Sequence, residues 1–345
     1  MKWFFINNKF VWEKEDPLVI AEIWINHWWS IKIAKEMVDA AYRAWAEIIK
    51  HQTHIINDEM SNEAKKAIPW NANESIYEIM ERCALSEEDE YELMNYVNSK
   101  WMIFISTPFS RKAADRLENF NVPAYKIWSW ECNNYPLIEH IVSFWKPIIL
   151  STWMNDIESI RKAVEIIRKW KIPYALLHCT NVYPTPYELV RLWALEELKN
   201  EFSDALIWLS DHTLSNYSCL WAVALWACIL ERHFTDTKNR IWPDISCSMD
   251  EKELKELIEW SKILAKCRWG RKWPVEEEKP CINFAFATIV TIKNIKKWEE
   301  FTKENIWVKR PWTWEIKAEF YNDILWKRSN KELLAWIHLS FKDIL

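Results

Sequence analysis

Glycine is almost missing from this chain. Gly270 is the only one among 345 residues, where ordinary usage of roughly 7% would supply about two dozen. There is no run of about 18 apolar residues, which argues against a membrane-spanning helix. The start, Met1-Lys2-Trp3-Phe4-Phe5-Ile6, is too short for a signal-peptide core and has no small-residue cleavage site, so a cytoplasmic location is expected. A net charge of −5 gives no electrostatic footing for nucleic acid. The eight cysteines show neither metal nor disulfide spacing, and many sit in apolar runs. Buried free thiols in a reducing compartment account for them.

What is present instead is tryptophan, 27 times. Trp28-Trp29 stands where a strand should turn into a helix, Trp128 and Trp130 flank Ser129 in a strand-end loop, and Trp298 falls at a turn. Tight turns call for φ > 0, which glycine supplies without steric cost and tryptophan does not. Most of the tryptophans therefore stand where glycine is expected, at turns rather than at periodic core positions.

The rest of the chain alternates apolar strand, polar loop and amphipathic helix. Strands are expected to end near Glu22, Lys50, Ser106, Ile127, Ser151, His178, Leu209 and His233. Between them lie helical patterns at 30–46, 86–100, 110–120, 156–169 and 186–199, with Ser86 and Asp156 as caps. Strands alternating with helices imply a parallel sheet. Eight such units in about 240 residues fit a (β/α)8 TIM barrel; an open doubly wound sheet is the other arrangement. A long insertion, 53–82, follows the second strand, as functional loops often do. After His233 the alternation fades. The expected layout is a catalytic barrel over 1–267, a linker over 268–283 and a small, mostly β domain over 284–345. That small domain begins with a strand at 283–290 and has a second extended piece at 305–311.

Active sites of such barrels lie at the C-terminal ends of the strands. Here those ends carry Glu22, Asn26 and His27; Lys50 and Gln52; Thr107; Lys126, Ser129 and Glu131; Asn181 and Tyr183; Ser210 and His212; Glu231 and His233. Two lysines converging with hydroxyl and amide donors make an anion site, most naturally for phosphate. If the strands ending in Ser210-Asp211-His212 and Glu231-Arg232-His233 are parallel neighbours, their two imidazoles can hold a divalent metal. Together these groups point to metal-assisted chemistry on a phosphate-bearing substrate.

Several stretches resemble one family: Glu22-Ile23-Trp24-Ile25-Asn26-His27, Lys50-His51-Gln52-Thr53, Ser106-Thr107-Pro108-Phe109-Ser110, Lys126-Ile127-Trp128-Ser129-Trp130-Glu131, Ser210-Asp211-His212 and Glu231-Arg232-His233-Phe234-Thr235. They look like the bacterial sialic acid (N-acetylneuraminate) synthases, and Trp307-Val308-Lys309-Arg310-Pro311 looks like the antifreeze-like (SAF) C-terminal domain of that family. The resemblance implies condensation of phosphoenolpyruvate with N-acetylmannosamine, using Mn²⁺ or Mg²⁺ and releasing phosphate. It implies a homodimer in which one subunit's C-terminal domain caps the other's barrel. Carried over by motif, Lys50, Thr107, Lys126, Ser129, Asn181 and Ser210 would hold phosphoenolpyruvate, and His212 and His233 the metal. Glu22, Gln52, Tyr183 and Asp244 would contact sugar or water, and Glu131 would orient water. Arg310, from the partner subunit, would reach the sugar's N-acetyl group with Phe284 nearby. Synthases of legionaminic or pseudaminic acid are the related alternative, and a catalytically dead binding barrel is the alternative of another class.

The departure from the family lies at its glycines. Trp24, Trp29, Trp45, Trp70, Trp101, Trp128, Trp130, Trp145, Trp153, Trp208, Trp221, Trp242, Trp298, Trp312 and Trp326 stand where the family has Gly, whereas Trp307 matches a family Trp. So uniform an exchange is expected of a gene that reads UGA as glycine, translated with a code that reads it as tryptophan. Deliberate Gly→Trp replacement is the rival account.

Overall fold

The computed structural model describes residues 2–68, 73–311 and 314–345; Trp70 and Trp312 lie outside them. The chain divides into two compact units, Met1–Trp269 and Gly270–Leu345.

The first unit opens with an antiparallel hairpin, β1 (Trp3–Ile6) and β2 (Lys9–Trp12), which the alternation had not suggested. Among the described residues, eight parallel strands then close into a barrel. They are β3 (Leu18–Glu22), β4 (Ile48–Thr53), β5 (Ile103–Pro108), β6 (Tyr125–Ile127), β7 (Ile148–Ser151), β8 (Tyr174–Cys179), β9 (Leu206–Asp211) and β10 (Ile229–His233). Each strand pairs with the next in sequence, and β10 closes on β3. Every expected strand end lies within about three residues of the observed one.

Two-residue alternation sorts side chains between two cores. Ile20, Ile48, Ile103, Ile105, Ile149 and Ile229 fill the barrel interior, plugged at the N-terminal end by Phe4, Ile6 and Val11 of the hairpin. Trp208 is also in this interior and fully buried, so at this position the indole occupies core rather than a turn. Outward-facing Ala21, Ile49, Phe104, Leu150, Leu209 and Leu230 meet the helices. The helix Ile157–Lys169 shows how: Asp156 accepts the amide of Ser159 at 2.8 Å, and Ile160, Ala163, Val164 and Ile167 form its buried stripe. Such a cap contributes about 1 kcal/mol, and each fully buried Ile or Val about 1.5–3 kcal/mol.

One helical and one strand expectation shift. The pattern at 186–199, interrupted by Pro186, resolves into a 3₁₀ turn Tyr187–Leu189 and a helix Ala194–Glu201. The expected strand at 283–290 begins only at Thr288: Lys279–Ala285 is a helix with Pro280 in its first turn, where proline's missing N–H costs nothing. The segment 268–283 is therefore partly helical. In the second unit β11 (Thr288–Thr291) pairs antiparallel with β12 (Ile306–Lys309). Ile289, Ile295, Phe301, Ile306, Ile316, Ile324, Leu333 and Leu339 form this unit's own core.

The turns carry an unusual residue. Trp28, Trp29, Trp45, Trp101, Trp145, Trp226, Trp298, Trp326 and Trp336 all have φ between 45° and 74°. An L-residue in this region costs roughly 1–2 kcal/mol. Trp28, Trp226 and Trp336 join the suspect positions on these grounds. Trp128, with φ −75°, does not need a glycine conformation. Trp307 lies in ordinary strand geometry in β12.

Candidate active site

The same alternation that fills the barrel floor with isoleucine places polar groups at its mouth. Ile20 is followed two residues on by Glu22, Ile48 by Lys50 and Gln52, Trp208 by Ser210 and His212, and Ile229 by Glu231 and His233. β9 and β10 are parallel neighbours with Glu231 opposite Ser210, so the two histidine-bearing ends lie side by side. The imidazole rings are 5.3 Å apart, centre to centre.

Backbone carbonyls orient both rings. His212 Nδ1 lies 2.9 Å from Thr180 O, and His233 Nδ1 lies 2.9 Å from Trp24 O. A carbonyl can only accept, so each Nδ1 carries the proton and each Nε2 keeps its lone pair. Burial depresses both pKa values, that of His212 to about 4, and keeps the rings neutral. Neutral imidazoles anchored through the second nitrogen are the form that ligates metal. Among the described residues no group of three or more His, Cys, Asp or Glu forms a metal cage. A metal held by this pair would need further ligands, such as substrate and water, to complete its coordination. Tyr183 packs against both rings, 4.2 Å and 5.7 Å away, and burial raises its hydroxyl pKa well above the usual range. Asp244 Oδ2 is 3.4 Å from His233 Nδ1, and burial pushes its pKa up to about 7.

The other half of the polar groups, two residues deeper along β9 and β10 and on the strands around them, is held by side chains. Glu231 Oε1 accepts from Lys126 at 3.1 Å and from Ser210 at 3.3 Å, and lies 3.7 Å from Lys50. Lys50 is also paired with Glu22. All four charged residues are buried. Burial lowers the Lys50 pKa to about 7, against the opposing pull of Glu231; the lysines in turn draw Glu231 down despite its own burial. Glu231 is thus the hub of this half. The sequence had marked it as a strand-end carboxylate without giving it a role.

Thr107 pairs in register with Gln52 on the adjacent strand. Gln52 Oε1 is 3.4 Å from His54 Nε2, whose Nδ1 meets Glu59 at 2.8 Å. Ser129 and Glu131 lie in a 3₁₀ turn after β6; the Ser129 carbonyl accepts from Asn155, and Glu131 accepts from Asn134 at 2.5 Å. Burial raises the pKa of Glu131. The Ser129 hydroxyl, Asn181 Oδ1 and Glu231 Oε2 are buried without a hydrogen-bond partner, a condition that native structures rarely leave to a polar atom unless a ligand or water completes it. Phe284 and Arg310 belong to the second unit, where Arg310 Nε donates to Ala285 O at 2.5 Å and Phe284 is exposed. Open space of about 520 Å³ adjoins the Asp244 turn beside Arg240–Ser246, and a cavity of about 480 Å³ lies against Phe4, Pro147 and Pro173 at the N-terminal end of the barrel.

The closed (β/α)8 barrel thus gathers two lysines, two neutral imidazoles and unpartnered hydroxyl and amide groups at the strand ends where barrel enzymes place their active sites. A model of the NeuB family matches residues 37–269, and the chain belongs to that family. It is 34% identical to the N,N'-diacetyllegionaminic acid synthase of Campylobacter jejuni, over 91% of this chain and 96% of the relative. It is 30% identical to the pseudaminic acid synthase of Helicobacter pylori, over 96% of this chain and 98% of that one. Among solved structures, the sialic acid synthetase of Leptospira borgpetersenii, in complex with citrate, superposes with a TM-score of 0.74 at 27% identity, covering 81% of this chain and 95% of that one.

Proposed function

We propose that this chain condenses phosphoenolpyruvate with the open-chain form of an N-acylated amino sugar, giving a nonulosonic acid and phosphate. The observation that carries the reading is the pairing of Lys50 and Lys126 around one carboxylate, Glu231, with the unpartnered hydroxyl of Ser129 in the turn that follows the strand of Lys126. Two ammonium groups and a free donor suit the phosphate and carboxylate of phosphoenolpyruvate. Thr107, Asn181 and Ser210 complete that half. The imidazoles of His212 and His233 would hold Mn²⁺ or Mg²⁺, which polarises the sugar aldehyde when bound. Glu22, Gln52 and Tyr183 would orient the sugar. Asp244, titrating near pH 7, can take up the proton released when water adds to C2, and Glu131 would place that water.

N-acetylmannosamine is the sugar that the opening motifs imply, with N-acetylneuraminate as product. A second reading, N,N'-diacetyllegionaminic acid, is favoured by identity: synthases named for that product reach 34% and 33%, against 27% for the mouse N-acetylneuraminate-9-phosphate synthase. Arg310 and Phe284 would act on the sugar's N-acyl group from the partner subunit of a homodimer.

Phosphate release in the presence of phosphoenolpyruvate, N-acetylmannosamine or its diacetylated relative, and Mn²⁺ tests all of this. Release is expected with at least one sugar, and should stop on chelation and return with Mn²⁺ or Mg²⁺. No release with any N-acylated sugar would leave only a binding barrel; undiminished release after exhaustive chelation would remove the metal. Mixing Arg310→Ala with Lys126→Ala chains should restore some turnover if Arg310 acts in trans.

A further inference from the structure

We propose that Arg232 is a positioning residue for the imidazole pair: from behind the barrel wall it locks the loop bearing His212 to the turn bearing Asp244, and so sets the affinity for a divalent cation. The inference rests on the metal reading above. On β10 the inward residues are Glu231 and His233, so Arg232 between them points outward, only 2% exposed. Its register partner on β9 is Asp211, also outward and buried. Arg232 Nε lies 3.3 Å from Asp211 Oδ2, an ion pair without hydrogen-bond alignment at Nε.

The rest of the guanidinium reaches beyond the pair. Nη1 donates to Asn216 Oδ1 at 2.6 Å; Nη2 donates to Thr213 O at 2.5 Å and to Cys247 O at 3.3 Å. Asp211 in turn accepts the Thr213 amide at 3.2 Å and its hydroxyl at 2.9 Å. Both residues flanking His212 are therefore fixed by this one ion pair. Cys247 ends the 3₁₀ turn Pro243–Cys247, and Cys247 Sγ and Ser248 Oγ hold the Asp244 carbonyl at 3.3 and 2.6 Å. Asn216 passes the chain of contacts to Glu253 O, at 2.8 Å, on the helix Glu251–Cys267.

Only a planar fork with several fixed donors can address the two loops and the carboxylate at once; a lysine is a single point charge. Stability alone does not call for it, because buried ion pairs are often replaced by apolar residues at no loss. What the pair fixes is geometry, on the reverse side of the wall that carries His212, Glu231 and His233.

The test is Mn²⁺ binding to the substrate-free full chain, read from the electron paramagnetic resonance signal of the free ion, with thermal melting alongside. Asp211→Leu/Arg232→Met removes both charges together. It is expected to fold with a lowered melting temperature, because Thr213, Asn216 and Cys247 lose partners, and to bind Mn²⁺ about 10–100-fold more weakly, the usual effect of removing support behind metal ligands. Arg232→Lys keeps a charge opposite Asp211 without the fork, and should fall between the two. A folded Asp211→Leu/Arg232→Met chain that binds Mn²⁺ as the wild type does overturns the proposal. Should that variant fail to fold, wild-type affinity in Arg232→Lys overturns it equally. A wild type that binds no Mn²⁺ sinks the metal reading, and this inference with it.

Discussion

The barrel mouth and the turns of this chain obey different rules. At the mouth, buried charges find opposite charges, and the few polar atoms left without a partner are grouped at the strand ends. Lys126 and Ser210 find Glu231, and each imidazole finds a carbonyl. At the turns, residue type and backbone disagree, with bulky indoles at Trp45, Trp101, Trp145, Trp298 and Trp326 all held at φ near 60–70°. A mouth so consistent is what a selected function leaves behind. Nine of the fourteen non-glycine residues with left-handed φ among the described residues are tryptophan, a concentration in one residue type that a systematic exchange of that residue would leave behind. Changes at the mouth should therefore alter activity with little effect on stability, and changes at the turns should do the reverse.

Ser129→Ala should separate the two most sharply. The hydroxyl has no protein partner to lose, so the melting temperature should stay put. A hydrogen bond to a charged ligand contributes about 1.5–3 kcal/mol, so KM for phosphoenolpyruvate should rise about 10–100-fold. A fall in melting temperature with unchanged KM would reverse the assignment of Ser129.

The acid–base behaviour of Lys50 gives the next effect. Its ammonium loses its proton near pH 7 because of burial. If that charge grips the substrate, kcat/KM for phosphoenolpyruvate should fall about tenfold per pH unit above about 7, and Lys50→Arg should remove that limb. The stability effect runs the other way. The folded value lies below the ordinary 10.5, so between these two values the unfolded chain binds more protons. Lys50 therefore contributes increasing stability as pH rises through that window. A pH–rate profile flat from 7 to 9 would show that Lys50 stays charged or is not needed.

The smallest effect on activity belongs to the turns. Trp298→Gly with Trp326→Gly, at φ 70° and 72°, should raise the melting temperature of the full chain. The gain should correspond to roughly 1–2 kcal/mol per site, with kcat unchanged. A lower melting temperature would mean that indole packing outweighs backbone strain. The gene offers an independent check: UGA is expected at the nine left-handed tryptophans, and UGG at Trp307. UGG throughout would remove the recoding account while leaving the strain.

The sequence by itself determined the barrel and the composition of its mouth, because both are local. Strand–helix alternation and two-residue periodicity are read within a dozen residues, which is why the ends at Glu22, Ile127, Ser151 and His233 coincide with the observed ones. It misread places where neighbouring residues compete, such as 279–285, where an apolar run takes a helix after Pro280. It also missed the aromatic β1–β2 hairpin. Only the tertiary structure decided which charge meets which. Lys126 and Glu231 are 105 residues apart, and His233 and the Trp24 carbonyl 209. Such partnerships exist only once β10 closes on β3. The same closure turns Arg232, in sequence merely a charge between two site residues, outward onto Asp211. Periodicity tells which face of a strand a side chain takes; barrel closure alone tells what waits on that face.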